Sequence, residues 1–459
     1  MPNERDEGYL TKDEWIKIGD LTRQCADSCR IDPKFYSQYD VKKGLRDLDG
    51  RGVLAGLTEI SEVKATAEAD GKRVPAPGEL YYRGYNVNDL VKGFLTDKRY
   101  GFEEATYLLL TGKLPSAREL RSFCDLLGEF YTLPKNFVRD IIMKSPSEDM
   151  MNSLMRCVIS LFPYDPNPNN TAPDNVMRQC LQLIAQVPIF SVYSYAASSF
   201  YNKSDSLVIH RPRTDLSMAE NILYMLRQDC SYTELEARVL DMALVLHAEH
   251  GGGNNSSFTT HVVTSSGTDT YSAIVAALAS LKGPRHGGAN IRVMRMFEDM
   301  KANIDTRDDD QLRAYLEALV DGKAFDRAGL IYGIGHAVYS ISDPRAKIFK
   351  GFVEKLSYEK GLHDEYDLYA RVEQFAPEII SKKRKMYKGV SANVDFYSGF
   401  AYSMLNIPIE LYTPIFAIAR MAGWSAHRME ELVNAGKIIR PAYQAVAEHR
   451  EYVPIKDRK

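Results

Sequence analysis

The chain has 459 residues, 45% of them hydrophobic and 26% charged, with a formal net charge of -3. That length buries a large core in two or three folding units, or in one large domain carrying a smaller one. The composition excludes a disordered chain, and the near-neutral charge lacks the broad basic field that nucleic acid requires. No run of about 18 consecutive apolar residues occurs, and the N-terminal MPNERDEGYL has no apolar signal core. The expectation is therefore a soluble, cytoplasmic protein with no membrane partner, whose six scattered cysteines are reduced thiols.

In chain order, two strand-like runs come first, Gly52 to Ile60 and Leu80 to Val87, with turn signals at Asp49-Gly50, Asp70-Gly71 and Pro75 to Gly78. Ser116 and Glu119 form a capping-box pattern that opens a helix through Leu120, Phe123 and Leu127. Tyr164 to Asn175 reads as a loop. Thr233 and Glu236 repeat the capping box ahead of Val239, Met242, Ala243 and Leu246, and Gly251 to Gly253 stops that helix. Ile291 to Met300 is helical, and Asn303 to Gln311 is a polar connection. Pro414 suits the first turn of a core helix over Ile415 to Val433. No βαβ alternation appears, so the expected class is mostly all-α, with a minor β element near the N-terminus.

Four histidines sit in Gly-rich or polar settings. His286, in LKGPRHGGAN, falls at or just before the helix that starts near Ile291. Free N–H groups there disfavour imidazolium, so a neutral ring would donate one hydrogen bond to a carbonyl, and Gly287-Gly288 would let a substrate approach the backbone. His250, in HAEHGGGN, ends the Thr233 helix, where carbonyls favour an imidazolium able to bind a carboxylate. His247 and His250 with His261 would be an alternative metal set, but HxxH lacks the zincin spacing and glutamate. His336 lies in GIGHAVY, ahead of Asp343-Pro344-Arg345, a histidine turn followed by an arginine suited to a carboxylate. Asp395, among aromatic neighbours in NVDFYSG, would have its pKa raised by desolvation and so become a better proton acceptor; the bland alternative is a helix cap.

Together LKGPRHGGAN, GIGHAVYSISDPR and SANVDFYSG resemble, in order and spacing, the three active-site segments of the citrate synthase family. GLRDLDGRGVLAGLTEI, YYRGYNVNDLV, FEEATYLLLTGKLPSAREL, LHAEHGGGN and YTPIFAIARMAGW followed by IIRP extend the likeness over roughly residues 44 to 459. The resemblance implies a homodimer of mostly helical two-domain subunits, a large domain interrupted by a small one, with the site in a cleft that closes on oxaloacetate. The boundaries expected are 1–43 for an extension of unknown role, 44–285 for the first part of the large domain, 286–392 for the small domain and 393–459 for the rest. It further implies that His286 polarises the acetyl-CoA thioester, Asp395 removes a methyl proton and His336 donates to the oxaloacetate carbonyl. His250, Arg345 and Arg420 would hold the dicarboxylate, and Arg440 would reach into the other subunit's site.

Such chemistry gives citrate and CoA, feeding the tricarboxylic acid cycle, with CoA thioester as substrate and no metal or other cofactor. Ile334, Ser340 and Gly251 depart from the residues usual in the family, and Lys347, Lys350, Lys383 and the Lys382 to Lys385 run are the candidate CoA phosphate binders. Three alternatives stand beside this reading. They are a 2-methylcitrate synthase using propionyl-CoA, a non-catalytic metabolite-binding protein of the same fold, and a zinc hydrolase.

Overall fold

The structure, a computed structural model, describes residues 11–47, 51–336, 338–384, 389–434 and 436–458. These form two compact units, one of residues 1–55 with 440–459 and one of residues 56–439. The first holds helices α1 (Lys12–Ser28) and α2 (Lys34–Gln38). Thr11 and Glu14 cap α1 reciprocally, and Trp15, Ile16 and Leu21 lie exposed along it.

The second unit opens with a three-stranded antiparallel sheet, β1 (Ser61–Ala69), β2 (Lys72–Tyr82) and β3 (Tyr85–Asn86). Asp70 and Gly71 both take positive φ, 52° and 70°, which is the type I′ geometry whose twist suits a two-residue hairpin. The expected strand over Gly52 to Ile60 is not formed. Apart from a bridge between Arg46 and Gly52 it has no partner strand among the described residues, and the ladder begins at Ser61. Leu80 to Val87 divides into the end of β2, a turn, β3 and the first residue of a helix. Pro75 to Gly78 is strand rather than turn, carried past its prolines by a register shift opposite Lys64 and Thr66. Asp49 and Gly50 lie outside the described residues.

Helices then follow without interruption: α3 (Val87–Thr96), α4 (Phe102–Thr111), α5 (Ala117–Glu129), α6 (Met150–Ser160), α7 (Pro173–Lys203), α8 (Met218–Leu226), α9 (Glu234–His247), α10 (Asn255–Thr264) and α11 (Thr270–Lys282). The series continues with α12 (Ala289–Asn303), α13 (Asp309–Val320), α14 (Pro344–Glu359), α15 (His363–Arg384), α16 (Val394–Met404) and α17 (Tyr412–Val433). Both capping boxes read from the sequence form, at Ser116 and Thr233, each satisfying two backbone donors at a helix start.

Helix α17 is the centre of the core. Tyr412 to Arg428 are all buried, and the helix packs on α4, α7, α9 and α10. It starts three residues before the expected Ile415, with Pro414 third in the helix, where its missing N–H is still an unused donor. Helix α9 is buried over most of its length, so its last turn delivers His247 into the interior. Gly423 makes this approach possible: a Cβ there would collide with Glu249 Oε2 and the Ala248 carbonyl, just beyond the end of α9.

Candidate active site

Three loop segments and two helix ends converge. Gly335 N–H donates to the Ser391 carbonyl at 2.8 Å and Asn393 N–H to the Gly333 carbonyl at 2.9 Å, so GIGH and SANVD are stitched together by backbone. Asn393 caps α16 through the Asp395 N–H at 3.0 Å and donates its amide to the Gly335 carbonyl at 2.9 Å. Gly333 has φ 80°, and a Cβ there would lie 2.8 Å from the Phe396 ring, so the alternate glycines are explained by this crossing rather than by a phosphate.

His336 Nδ1 accepts from the N–H groups of Val338 (3.0 Å) and Tyr339 (3.1 Å), so the proton of the neutral ring is on Nε2. The ring stacks on Tyr339 at 4.8 Å and lies 5.1 Å from the His250 ring. His250 does not carry the charge expected of it. Burial first, then Arg345, His336 and Arg420, push its pKa well below the ordinary value, overriding the helix carbonyls. Its Nε2 is buried with no hydrogen-bond partner among the described residues.

His286 precedes the α12 cap, Gly288, by two residues, with Nε2 3.0 Å from the Ser256 hydroxyl at the start of α10. Its pKa falls to about 4 through burial and the nearby Arg420, with Asp395 opposing. The neutral ring expected from the sequence is present, but desolvation and a guanidinium cause it rather than a helix dipole. Gly287 and Gly288 are not open to a substrate. Their Cβ positions are taken by the Leu281 carbonyl and Thr413 on one side and by Pro284 on the other.

Asp395, second residue of α16, places Oδ1 4.0 Å from His247 Nε2. His247 donates from Nδ1 to the Ala243 carbonyl at 2.8 Å, which fixes the ring with Nε2 toward the carboxylate. Burial raises the Asp395 pKa, as expected from sequence, but His247, Arg345 and His336 outweigh it and the net shift is downward. The group is a carboxylate held ionised, not one tuned upward.

The two arginines differ in their partners. Arg345 forms a buried bidentate pair with Asp343, Nε to Oδ1 at 3.1 Å and a terminal nitrogen to Oδ2 at 2.8 Å. Arg420, 1% exposed, donates from Nε to the His247 carbonyl at 2.7 Å and lies over the Phe416 ring at 4.8 Å. No carboxylate among the described residues pairs with it. Two buried cations, an ionised acid, a neutral histidine and an Nε2–H donor thus share one recess, an arrangement suited to binding a dianion and moving a proton beside it.

A family model described as citrate synthase, C-terminal domain, matches residues 45–442. The chain belongs to the citrate synthase family. It is similar to a citrate synthase of Haloferax volcanii, 34% identical over 91% of this chain and 99% of that one. A 2-methylcitrate synthase of Corynebacterium glutamicum is 32% identical over 92% of this chain and 100% of its own length. Among solved structures, the ternary complex of carboxymethyl coenzyme A and oxaloacetate with the Thermoplasma acidophilum citrate synthase superposes with a TM-score of 0.73, at 28% identity over 91% of this chain and 99% of that chain. The family is one of acyltransferase enzymes, and its mostly helical fold with a small N-terminal sheet is the fold described above.

Of the residues matched to the citrate synthase pattern, His250, His286, His336, Arg345, Asp395 and Arg420 come together. Arg440 is exposed and belongs to the other compact unit. The lysines stand apart: Lys350 is paired with Glu373 at 2.6 Å, Lys383 with Asp321 at 3.1 Å, and Lys347 is exposed. Lys385 lies outside the described residues. The metal set considered for His247, His250 and His261 is not assembled, because His247 faces Asp395 whereas His261 bonds to Glu431 and His427. Sequence reasoning missed the Asp395 role of His247, and also Ser256, Glu249 and His427. An acid between two histidines in HAEH was the one local signal for Glu249.

The His286 shift has a definite sign. Its folded pKa of about 4 lies below the ordinary value of about 6.5, so the unfolded chain binds more protons between those limits, and this group's contribution to stability falls as pH drops through that window. Ring-nitrogen NMR should find His286 neutral from about pH 5 upward, and the acid-side loss of Tm should be shallower in His286→Gln. An imidazolium at pH 7 would contradict this electrostatic picture.

Proposed function

We propose that this chain is a citrate synthase, joining acetyl-CoA to oxaloacetate and hydrolysing the resulting thioester to citrate and CoA. The observation that carries the reading is the ionised Asp395 beside the neutral His286 and the Nε2–H of His336, all within the field of Arg345 and Arg420. Asp395 takes a proton from the thioester methyl group while His286, with Ser256 donating to its Nε2, gives a hydrogen bond from Nδ1 to the thioester oxygen. The electron pair of the broken C–H bond becomes the C=C π bond of an enolate, and the carbonyl π pair moves to the oxygen that the His286 hydrogen bond stabilises.

The enolate carbon then attacks the oxaloacetate carbonyl, whose oxygen is polarised by His336 Nε2–H and takes that proton as the C–C bond forms. Arg420, Arg345 and His250 hold the two carboxylates, the guanidinium forks because they bind such groups bidentately. Water adds to the thioester carbonyl, giving one proton to the departing thiolate, so that CoA leaves as the thiol, and one back to His336, while Asp395 loses the methyl proton to solvent. No step needs a metal or redox group. We also assign residues 286–392 to a small domain that closes over oxaloacetate, and we place Arg440 in the site of a second subunit of a homodimer. The Haloferax volcanii and Thermoplasma acidophilum relatives support the acetyl-CoA reading, whereas the Corynebacterium glutamicum relative keeps propionyl-CoA as the competing acyl donor.

Two measurements test the proposal. Release of free CoA with oxaloacetate should be faster with acetyl-CoA than with propionyl-CoA. One methylene is worth only about 1–3 kcal/mol, so a ratio of about 10 to 200 is expected, and equal or better turnover of propionyl-CoA would make the enzyme a 2-methylcitrate synthase. Asp395→Asn should lower turnover by about a thousandfold and still bind oxaloacetate; an active variant removes Asp395 from the base role. Mixing Asp395→Asn with Arg440→Ala subunits in equal amounts should restore about a quarter of the wild-type rate, since half the dimers would be mixed and each would carry one intact site. No recovery on mixing would place Arg440 outside the partner's site.

A further inference from the structure

Behind the recess, α10 and α17 enclose a polar chain that the mechanism does not use. His427, wholly buried, puts Nε2 3.0 Å from Glu249 Oε1 and Nδ1 3.0 Å from His261 Nε2. His261 turns its Nδ1 to Glu431 Oε2 at 2.8 Å. Each carboxylate fixes a proton on the ring nitrogen that faces it. Two neutral rings would then oppose lone pairs across 3.0 Å, and one more proton, on His427 Nδ1, turns that repulsion into an N–H···N bond.

A cation is the other way to fill the gap, since His261, His427 and Glu430 offer ligand atoms within 4.8 Å of one another. The 3.0 Å between ring nitrogens is a hydrogen-bond length. It is shorter than the roughly 3.3 Å that separates two ligands on a tetrahedral zinc at about 2.0–2.1 Å. The proton is the better occupant, and His427 is an imidazolium. Burial alone would lower its pKa, but Glu249 and then Glu430 raise it to about 9.

Glu249 stands between two cations. Oε1 accepts from His427 and from the Ser61 hydroxyl at 2.9 Å, while Oε2 is buried with no hydrogen-bond partner among the described residues. Gly423 lets Oε2 lie against α17, where a Cβ would also meet Arg420 Cδ at 3.3 Å. Glu249 is the acid whose charge acts most strongly on the buried Arg420, yet the two form no ion pair.

We propose that His427 is a positioning residue for the dicarboxylate: its imidazolium holds Glu249 on the far side, so Arg420 keeps the positive charge that receives the substrate. A neutral side chain at 427 frees Glu249 to turn toward Arg420 and compete with the substrate carboxylate. The inference rests on the reading of Arg420 as a carboxylate ligand.

Steady-state kinetics on the full-length enzyme separate the possibilities. His427→Gln should raise KM for oxaloacetate by about tenfold or more with a much smaller change in kcat. Adding Glu249→Gln to that variant should bring KM back to within about threefold of wild type, because no carboxylate is left to compete. Glu249→Gln alone should bind oxaloacetate at least as tightly as wild type, and this arm holds even if His427→Gln does not fold. An unchanged KM in His427→Gln, a double variant as impaired as the single one, or weaker binding in Glu249→Gln would each overturn the proposal. Arg420→Gln tests the underlying reading separately, since an unaltered KM there removes Arg420 from the substrate site whatever the His427 variants do.

Discussion

The structure depends on positive charge placed inside a helical core before any substrate arrives. Burying an unpaired ion costs several kcal/mol, so a guanidinium 1% exposed with no carboxylate partner among the described residues needs other support. Arg420 has the His247 carbonyl at the end of α9 and the face of Phe416. Arg345 has Asp343, which also caps α14 through the Arg345 N–H, so one carboxylate orients both the backbone and the side chain. On the proposed function, the incoming dicarboxylate would complete these groups, and its binding energy would be available at the reacting centre.

The protonation states follow from that field. Burial first, then Arg345 and Arg420 around His250 and Arg420 beside His286, keep both rings uncharged, and Arg345 helps keep Asp395 ionised. Neutral imidazoles and an ionised carboxylate held together in this way are therefore a single electrostatic arrangement, not three separately tuned groups. His247 joins it from the end of a buried helix, held by the Ala243 carbonyl, so its position is set by the packing of α9 against α17. Behind them the His427–Glu249 pair extends the alternation of charge deeper into the core.

Local chemistry was legible in the sequence wherever one short segment decided it. The capping boxes at Ser116 and Thr233, the Asp70-Gly71 hairpin turn and the segments around His286, His336 and Asp395 all carry their signals within a few residues. What failed depended on distant partners. Gly52 to Ile60 has strand-like composition but no neighbouring strand among the described residues, and Pro75 to Gly78 reads as a turn until β1 is seen to pair across it. Reading His250 by its helix end gave the wrong charge, since burial in the folded core comes first and arginines 95 and 170 residues away in the sequence add to it. Asp395 was misjudged in direction for the same reason, and the His427–Glu249 contact joins positions 178 residues apart. Lys350 and Lys383 looked free only because Glu373 and Asp321 were out of view.

The central claim is that fixed guanidinium charge, not titrating histidine, receives the dicarboxylate. Calorimetric affinity for oxaloacetate between about pH 6 and 8 tests it most directly, because arginine stays charged and ordinary histidine titrates in that range. The account predicts an affinity that changes little across the range, with no net proton uptake on binding. Binding that strengthens as the pH falls, with a proton taken up for each oxaloacetate bound, would show that histidines carry the charge and would contradict it.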